Sequence, residues 1–132
     1  RLLGQYTLRS HEFNDDATFG DNDLAGVAPQ LLYLELLYEK ANGWYLGANV
    51  GGRPEDVPLD NANSFDVESF LLLGAKAGWQ SERWSVFAEA RNLTDEEFAP
   101  NFFNVVDAGG SGGSNLFPGE GRGFNLGVEY RL

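Results

Sequence analysis

The 132-residue sequence has no cysteine, no methionine and a single histidine, His11. Without cysteine there is no disulfide framework, no thiolate metal site and no cysteine nucleophile. Only 9 Lys and Arg stand against 20 Asp and Glu, giving a formal net charge of -11. A chain so poor in cations does not suit nucleic acid, whose phosphates call for clustered Lys and Arg. No run of about 18 apolar residues marks a membrane helix. That leaves membrane strands open, because each needs only roughly ten residues of alternation. There is also no basic segment leading into an apolar stretch and a cleavage site. The chain opens on Arg1-Leu2-Leu3 and reads as mature, trimmed or cut from something longer. Disorder is excluded by what is present: 42% hydrophobic and 14% aromatic residues supply apolar surface to bury. The length suits one domain.

Alternation of apolar and polar residues dominates, and no stretch combines a cap, a 3.6-residue period and a stop signal. The pattern predicts an all-β chain of six antiparallel strands in an up-and-down meander, at about 4–13, 29–39, 44–52, 65–79, 83–91 and 121–132. The connections alternate long and short. Long loops are expected at 14–28, 53–64 and 92–120, the last with the flexible Gly109–Ser114 run, and tight turns at Lys40–Gly43 and Gln80–Glu82. A meander then gathers every long loop at one end and every short turn at the other, as in outer-membrane barrels.

Each strand divides into two registers. The last gives Phe124, Leu126, Val128, Tyr130 and Leu132 against Gly123, Asn125, Gly127, Glu129 and Arg131. The others behave alike, with Leu32–Tyr38, Trp44–Val50, Leu71–Trp79 and Trp84–Ala90 supplying apolar registers without a charge. In the first strand Tyr6 and Leu8 continue that face, while Ser10 and Glu12 end it near the rim. A charge on a lipid-facing register costs about 2–4 kcal/mol at mid-bilayer, so a membrane would enforce this purity. Trp44, Trp79, Trp84, Tyr38 and Tyr130 all fall in the apolar register and beside the short turns. Such a ring of amphipathic aromatics belongs at lipid headgroups. The second and fourth strands are apolar on both sides, through Leu31, Tyr33, Leu37, Phe70 and Leu72, which suits an inner face packed against something. The rival reading of the same alternation is a soluble β-sandwich that binds a glycan or protein through its long loops.

The segment Ser69–Trp79 followed by Trp84–Phe98, with its Asn92-Leu93-Thr94-Asp95, resembles the closing strands of TonB-dependent outer-membrane receptors. The end, Pro118–Leu132, resembles that family's last strand, and Leu24–Pro29 its approach to a barrel strand. The sequence departs from the family at Leu132, where Phe or Trp is usual, at Gly74, where Asp is common, and at Thr94, which replaces an aromatic. The resemblance implies a 22-stranded barrel with an N-terminal plug and a TonB-engaging box. Residues 1–132 would then be the C-terminal portion of the barrel, without the plug. It implies a Gram-negative outer-membrane location and contact with lipid, the plug, TonB through the missing N-terminal part, and a scarce ligand, most often a ferric siderophore.

No catalytic residue, metal site or cofactor is expected. Asp15, Asp16, Asp21, Asn22 and Asp23 lack the spacing of a calcium loop. Asp56, Asp60, Asn61, Asn63 and Asp66 receive the same reading, a solvated loop. His11 has only Ser10 beside it and no nucleophile elbow, and a rim hydrogen bond is expected for it. Residues 109–113 lack the Gly-Lys-Ser/Thr ending of a phosphate loop. Glu35, Lys76, Glu89, Arg91, Glu129 and Arg131 share the polar register, where neighbouring strands could pair them. No ligand residue is assigned, and the three loops are the candidate regions.

Overall fold

The computed structural model describes residues 1–131, with the backbone alone at Ser114. Leu132, expected to close the last apolar register, lies outside the described residues. Ten strands form: β1 (Leu2–Leu8), β2 (Gln30–Glu39), β3 (Trp44–Arg53), β4 (Val57–Pro58), β5 (Asp66–Val67), β6 (Phe70–Gln80), β7 (Trp84–Arg91), β8 (Asn101–Phe102), β9 (Leu116–Phe117) and β10 (Gly123–Tyr130). Six of them make one sheet in the order β1-β2-β3-β6-β7-β10, every neighbouring pair antiparallel. This is the expected meander, and as it stands it is an open sheet. The four short strands form two separate two-stranded ladders inside the long loops, β4 with β5 and β8 with β9.

Two boundaries differ from the alternation pattern by more than two residues. β1 stops at Leu8 instead of continuing to residue 13. Its partner β2 begins at Gln30, after Pro29, which has no N–H to extend the ladder. Pro29 only accepts, from the Arg9 amide at 2.8 Å, and beyond it the chain keeps two isolated bridges, Glu12 with Asp23 and Asp16 with Gly20. The fourth sheet strand begins at Phe70 instead of residue 65. The Ser69 amide donates to the Asp56 carboxylate at 2.6 Å, and Asp66–Val67 pair with the segment after Pro54.

The two short turns lie together at one end. Gly43 sits at φ +90°, which L side chains rarely adopt, and closes the Asn42-Gly43 turn with its amide on the Lys40 carbonyl at 3.0 Å. The second turn meets the first: the Gln80 amide donates to the Gly43 carbonyl at 3.0 Å, and the Trp79 indole to the Asn42 carbonyl at 3.1 Å. All long loops gather at the opposite end.

Candidate functional site

Three surfaces could carry function: the two faces of the sheet and the layer of long loops. On the first face, register runs unbroken across strands. Leu2, Leu36, Ala48, Ala75, Ala90 and Phe124 form one row across the sheet. The next row toward the turns is Tyr38, Leu46, Ala77, Ala88 and Leu126. Below it stand Trp44, Trp79, Val86 and Val128, and last Trp84 opposite Tyr130, with ring centroids 4.7 Å apart. No charged side chain enters these rows. No described residue covers them either: Leu126 is 85% exposed, Leu2 75% and Phe124 71%. A sandwich would lay a second sheet over this face; here the six strands form a single layer.

The opposite face is mixed and closely fitted. Lys76 pairs with Glu35 at 2.7 Å although the whole of β3 lies between them. It reaches across because position 47 is glycine: a Cβ there would stand 3.1 Å from the Lys76 chain and 3.0 Å from Leu37. The Tyr33 hydroxyl donates to the same Glu35 oxygen at 3.0 Å. The other expected pairs form along a strand rather than across strands, Arg91 with Glu89 at 2.9 Å and Arg131 with Glu129 at 3.0 Å. Glycines on this face sit under cross-strand rings: Tyr33 over Gly51, Tyr45 over Gly78 and Phe87 over Gly127. The rings shield backbone that glycine would leave bare.

The loops form one knitted layer, which the sequence reading missed, although Asp15, Asp16, Asp21, Asp23, Asp56 and Asp66 are solvent-exposed as expected. Its centre is Asp60, expected in a solvated acidic cluster and found 0% exposed among Val57, Leu59 and Val67. The carboxylate accepts from the amides of Ser64 at 2.9 Å, Phe65 at 3.2 Å and Ala108 at 2.9 Å, and from the Ser64 hydroxyl at 2.7 Å. Burial alone would raise its pKa; these donors outweigh burial and hold it below the ordinary aspartate value. The Ala108 amide joins the 92–122 loop to the 53–69 loop. The first loop is tied in by Asn63, which exchanges bonds with the Asp23 backbone at 2.8 and 2.9 Å, and by the Asn104 side chain on the Ala25 carbonyl at 3.0 Å. The Gly-rich run is anchored as well, the Gly110 amide donating to the Ser64 hydroxyl at 3.1 Å.

Two further residues fix the loop bases. Asn92, 3% exposed and at φ +49°, accepts from the Glu96 amide at 2.8 Å and donates to the Glu96 and Glu120 carbonyls. Asp95 accepts from the Arg122 amide at 2.9 Å and its guanidinium at 3.2 Å. The amide bond, then the guanidinium, lowers the Asp95 pKa. Asn92-Leu93-Thr94-Asp95 is therefore a clasp that closes both ends of the third loop. Arg53 is buried, donates to the Ala99 carbonyl at 2.9 Å and lies 4.9 Å from the Phe70 ring centroid.

Charge follows the same division. The spans 9–29, 53–69 and 92–122 each hold five carboxylates against one arginine. The loops thus carry more than the whole net charge of -11, and the sheet with its turns is nearly neutral. Among the described residues no three His, Asp or Glu stand together to hold a metal ion. His11 is exposed; its carbonyl accepts from Leu24 at 2.9 Å, and it lines an open cleft of about 710 Å³ with Arg9, Asp23, Glu55 and Asp66.

Comparison with known proteins gives a family match over residues 1–93, to the model described as TonB dependent receptor-like, beta-barrel. Among solved structures, the siderophore receptor PiuA from Acinetobacter baumannii superposes with a TM-score of 0.73 at 21% identity. The match covers 95% of this chain and 17% of PiuA. No curated protein matches.

Proposed function

Because the chain belongs to the TonB-dependent receptor β-barrel family, we propose that it forms wall and loops of an outer-membrane receptor for energy-coupled uptake of a scarce ligand, a ferric siderophore being the class that fits best. In this reading residues 1–132 are the C-terminal portion of the barrel. The uncharged face contacts lipid, the mixed face contacts the plug, and the long loops capture ligand outside the cell. TonB, acting on the plug, then opens the path. The segment supplies no catalysis. One observation carries the reading most directly: a charge-free, uncovered apolar register that ends, over its last three rows at the short-turn end, in Tyr38, Trp44, Trp79, Trp84 and Tyr130. PiuA, whose described role is siderophore reception, supports the ligand class.

The test is uptake of radioiron supplied as ferric siderophores by iron-starved cells whose only such receptor is the protein carrying this chain. Uptake that vanishes when TonB is deleted is the expected result. Absence of TonB-dependent uptake across neutral, cationic and anionic chelates would contradict the ligand class. Orientation is tested separately with single cysteines on intact cells: Ser111→Cys should react with an impermeant maleimide and Asn42→Cys should not.

A further inference from the structure

Four of the five apolar residues that the sequence places on the mixed face crowd toward the long loops. Tyr33 and Leu72 share a row with Gln5 and Gly51, Phe70 stands opposite Arg53 nearer the loops, and Leu31 faces Thr7. Toward the turns the same register becomes polar, through Glu35 and Asn49 and then Lys76, Glu89 and Asn125. The fifth, Leu37, lies in that polar part and is buried beside Gly47, where the Lys76 chain also passes. The loop-side rows are covered by the chain itself. Segment 98–102 of the third loop lies over them: the Phe98 ring stands 4.5 Å from that of Phe70. Pro100 lines two clefts at once, one of about 450 Å³ beside Gln5, Thr7 and Tyr33 and one of about 870 Å³ beside Asn49, Leu72 and Asn125.

Arg53 accounts for the segment staying there. The residue is buried at the end of β3, and among the described residues no carboxylate pairs with it. Its Nη2 donates instead to the Ala99 carbonyl at 2.9 Å and the Glu68 carbonyl at 3.4 Å, while Nε is buried without a partner. Two rings lie against it, Phe70 at 4.9 Å and Phe102 at 5.6 Å from the guanidinium carbon. A planar cation suits this seat, because it gives a directed hydrogen bond and lies on ring faces at once. From behind, the Gly119 amide donates to the Phe98 carbonyl at 2.7 Å, and the Phe98 ring takes the place that a Cβ on Gly119 would need. A buried guanidinium whose bonds run to loop carbonyls holds backbone in place. Resting on the receptor reading above, we infer that Arg53 is a positioning residue that seats residues 98–102 as a strap on the inner wall, and that the plug therefore meets this wall only on the turn side of Tyr33 and Leu72. The apolar inner residues of β2 and β6 are then the strap's bed, and the polar rows around Glu35 and Lys76 are the part left to the plug.

The experiment uses the full receptor in its membrane, with the photocrosslinker p-benzoylphenylalanine in place of Tyr33 or of Tyr45, which lies on the same face over Gly78 near the turns. Adducts are mapped by mass spectrometry. Position 33 should cross-link to residues 98–102 and position 45 to the plug. Arg53→Gln, which removes the charged donor, should lower the adduct between position 33 and the strap at least about threefold. Arg53→Lys, which keeps the charge without the plane, should fall between the two. The map from position 33 with Arg53 intact decides even where Arg53→Gln fails to assemble. An adduct from position 33 to the plug, none from it to 98–102, none from position 45 to the plug, or a strap adduct unchanged by Arg53→Gln would overturn the inference. TonB-dependent radioiron uptake by the same receptor keeps the two claims apart. Uptake that persists with the wrong adducts sinks the strap alone; uptake that is absent sinks the receptor reading.

Discussion

Asp60 holds four donors with one carboxylate, and two loops meet on it. Asp60→Ala would leave buried amides without partners, each costing on the order of 1–3 kcal/mol. The loss should be local: hydrogen exchange at Ser64, Phe65 and Ala108 should accelerate while β7 and β10 keep their protection. Asp60→Asn offers a neutral oxygen and should fall between the two. Because the folded-state pKa is depressed, the carboxylate's contribution is fully present above the unfolded value, about 3.9, and fades as pH falls through the lower folded value. Loop protection should therefore hold at pH 4.5 to 7 and drop only in stronger acid; in Asp60→Asn that acid step should be missing. Nothing local in Pro58–Asn63 distinguishes this aspartate from its solvated neighbours. One of its donors is the amide of Ala108, 48 residues away, and such a contact leaves no periodic trace. Asn92 was easier to notice, since its four-residue segment resembles a family pattern, but its role as a clasp required the structure.

The sheet strands were the most legible elements, because a period of two reports directly which side chains share a face. The apolar register of β10 from Phe124 to Tyr130 was readable to the residue, and so was the Lys40–Gly43 turn; the second turn falls at 81–83 instead of Gln80–Glu82. Strand ends were less so. Pro29 and Ser69 stop the ladders early through a missing donor and a diverted one, and β4, β5, β8 and β9 are too short for alternation to show. The glycines of the polar register were visible, but not the rings that cover them. This arrangement yields a paired prediction. Leu126→Arg should cost about 2–4 kcal/mol of barrel stability in lipid, whereas Asn125→Arg, on the mixed face, should cost a fraction of that. Gly127→Leu should also destabilise, for a different reason: its side chain would occupy the place of the Phe87 ring. Urea unfolding in lipid vesicles would rank all three.

At the scale of the whole molecule, the described chain has two exposed sheet edges, β1 and β10, and one uncovered apolar face. Open strand edges and large apolar patches both drive association in water. The isolated chain is therefore expected to aggregate in plain buffer, and to fold reversibly only in lipid or detergent together with the further strands of the receptor. A folded monomer by sedimentation in buffer would count against this. The alternation of long and short connections foretold which end of the sheet holds the loops. It could not foretell that the loops form one layer, because that follows from contacts between distant segments; the charge of the loops, in contrast, can be counted from the sequence once the loops are placed.

The central claim is that one register of the sheet faces lipid and the other does not. Spin labels at 36, 46 and 126, and at 49, 76 and 125, in the full receptor in lipid test it position by position. The first set should collide mainly with oxygen, which concentrates in hydrocarbon, and hardly with a water-soluble nickel chelate. The second set should show much weaker oxygen contact. Equal oxygen accessibility for both registers, or strong nickel contact at 46 and 126, would contradict the account.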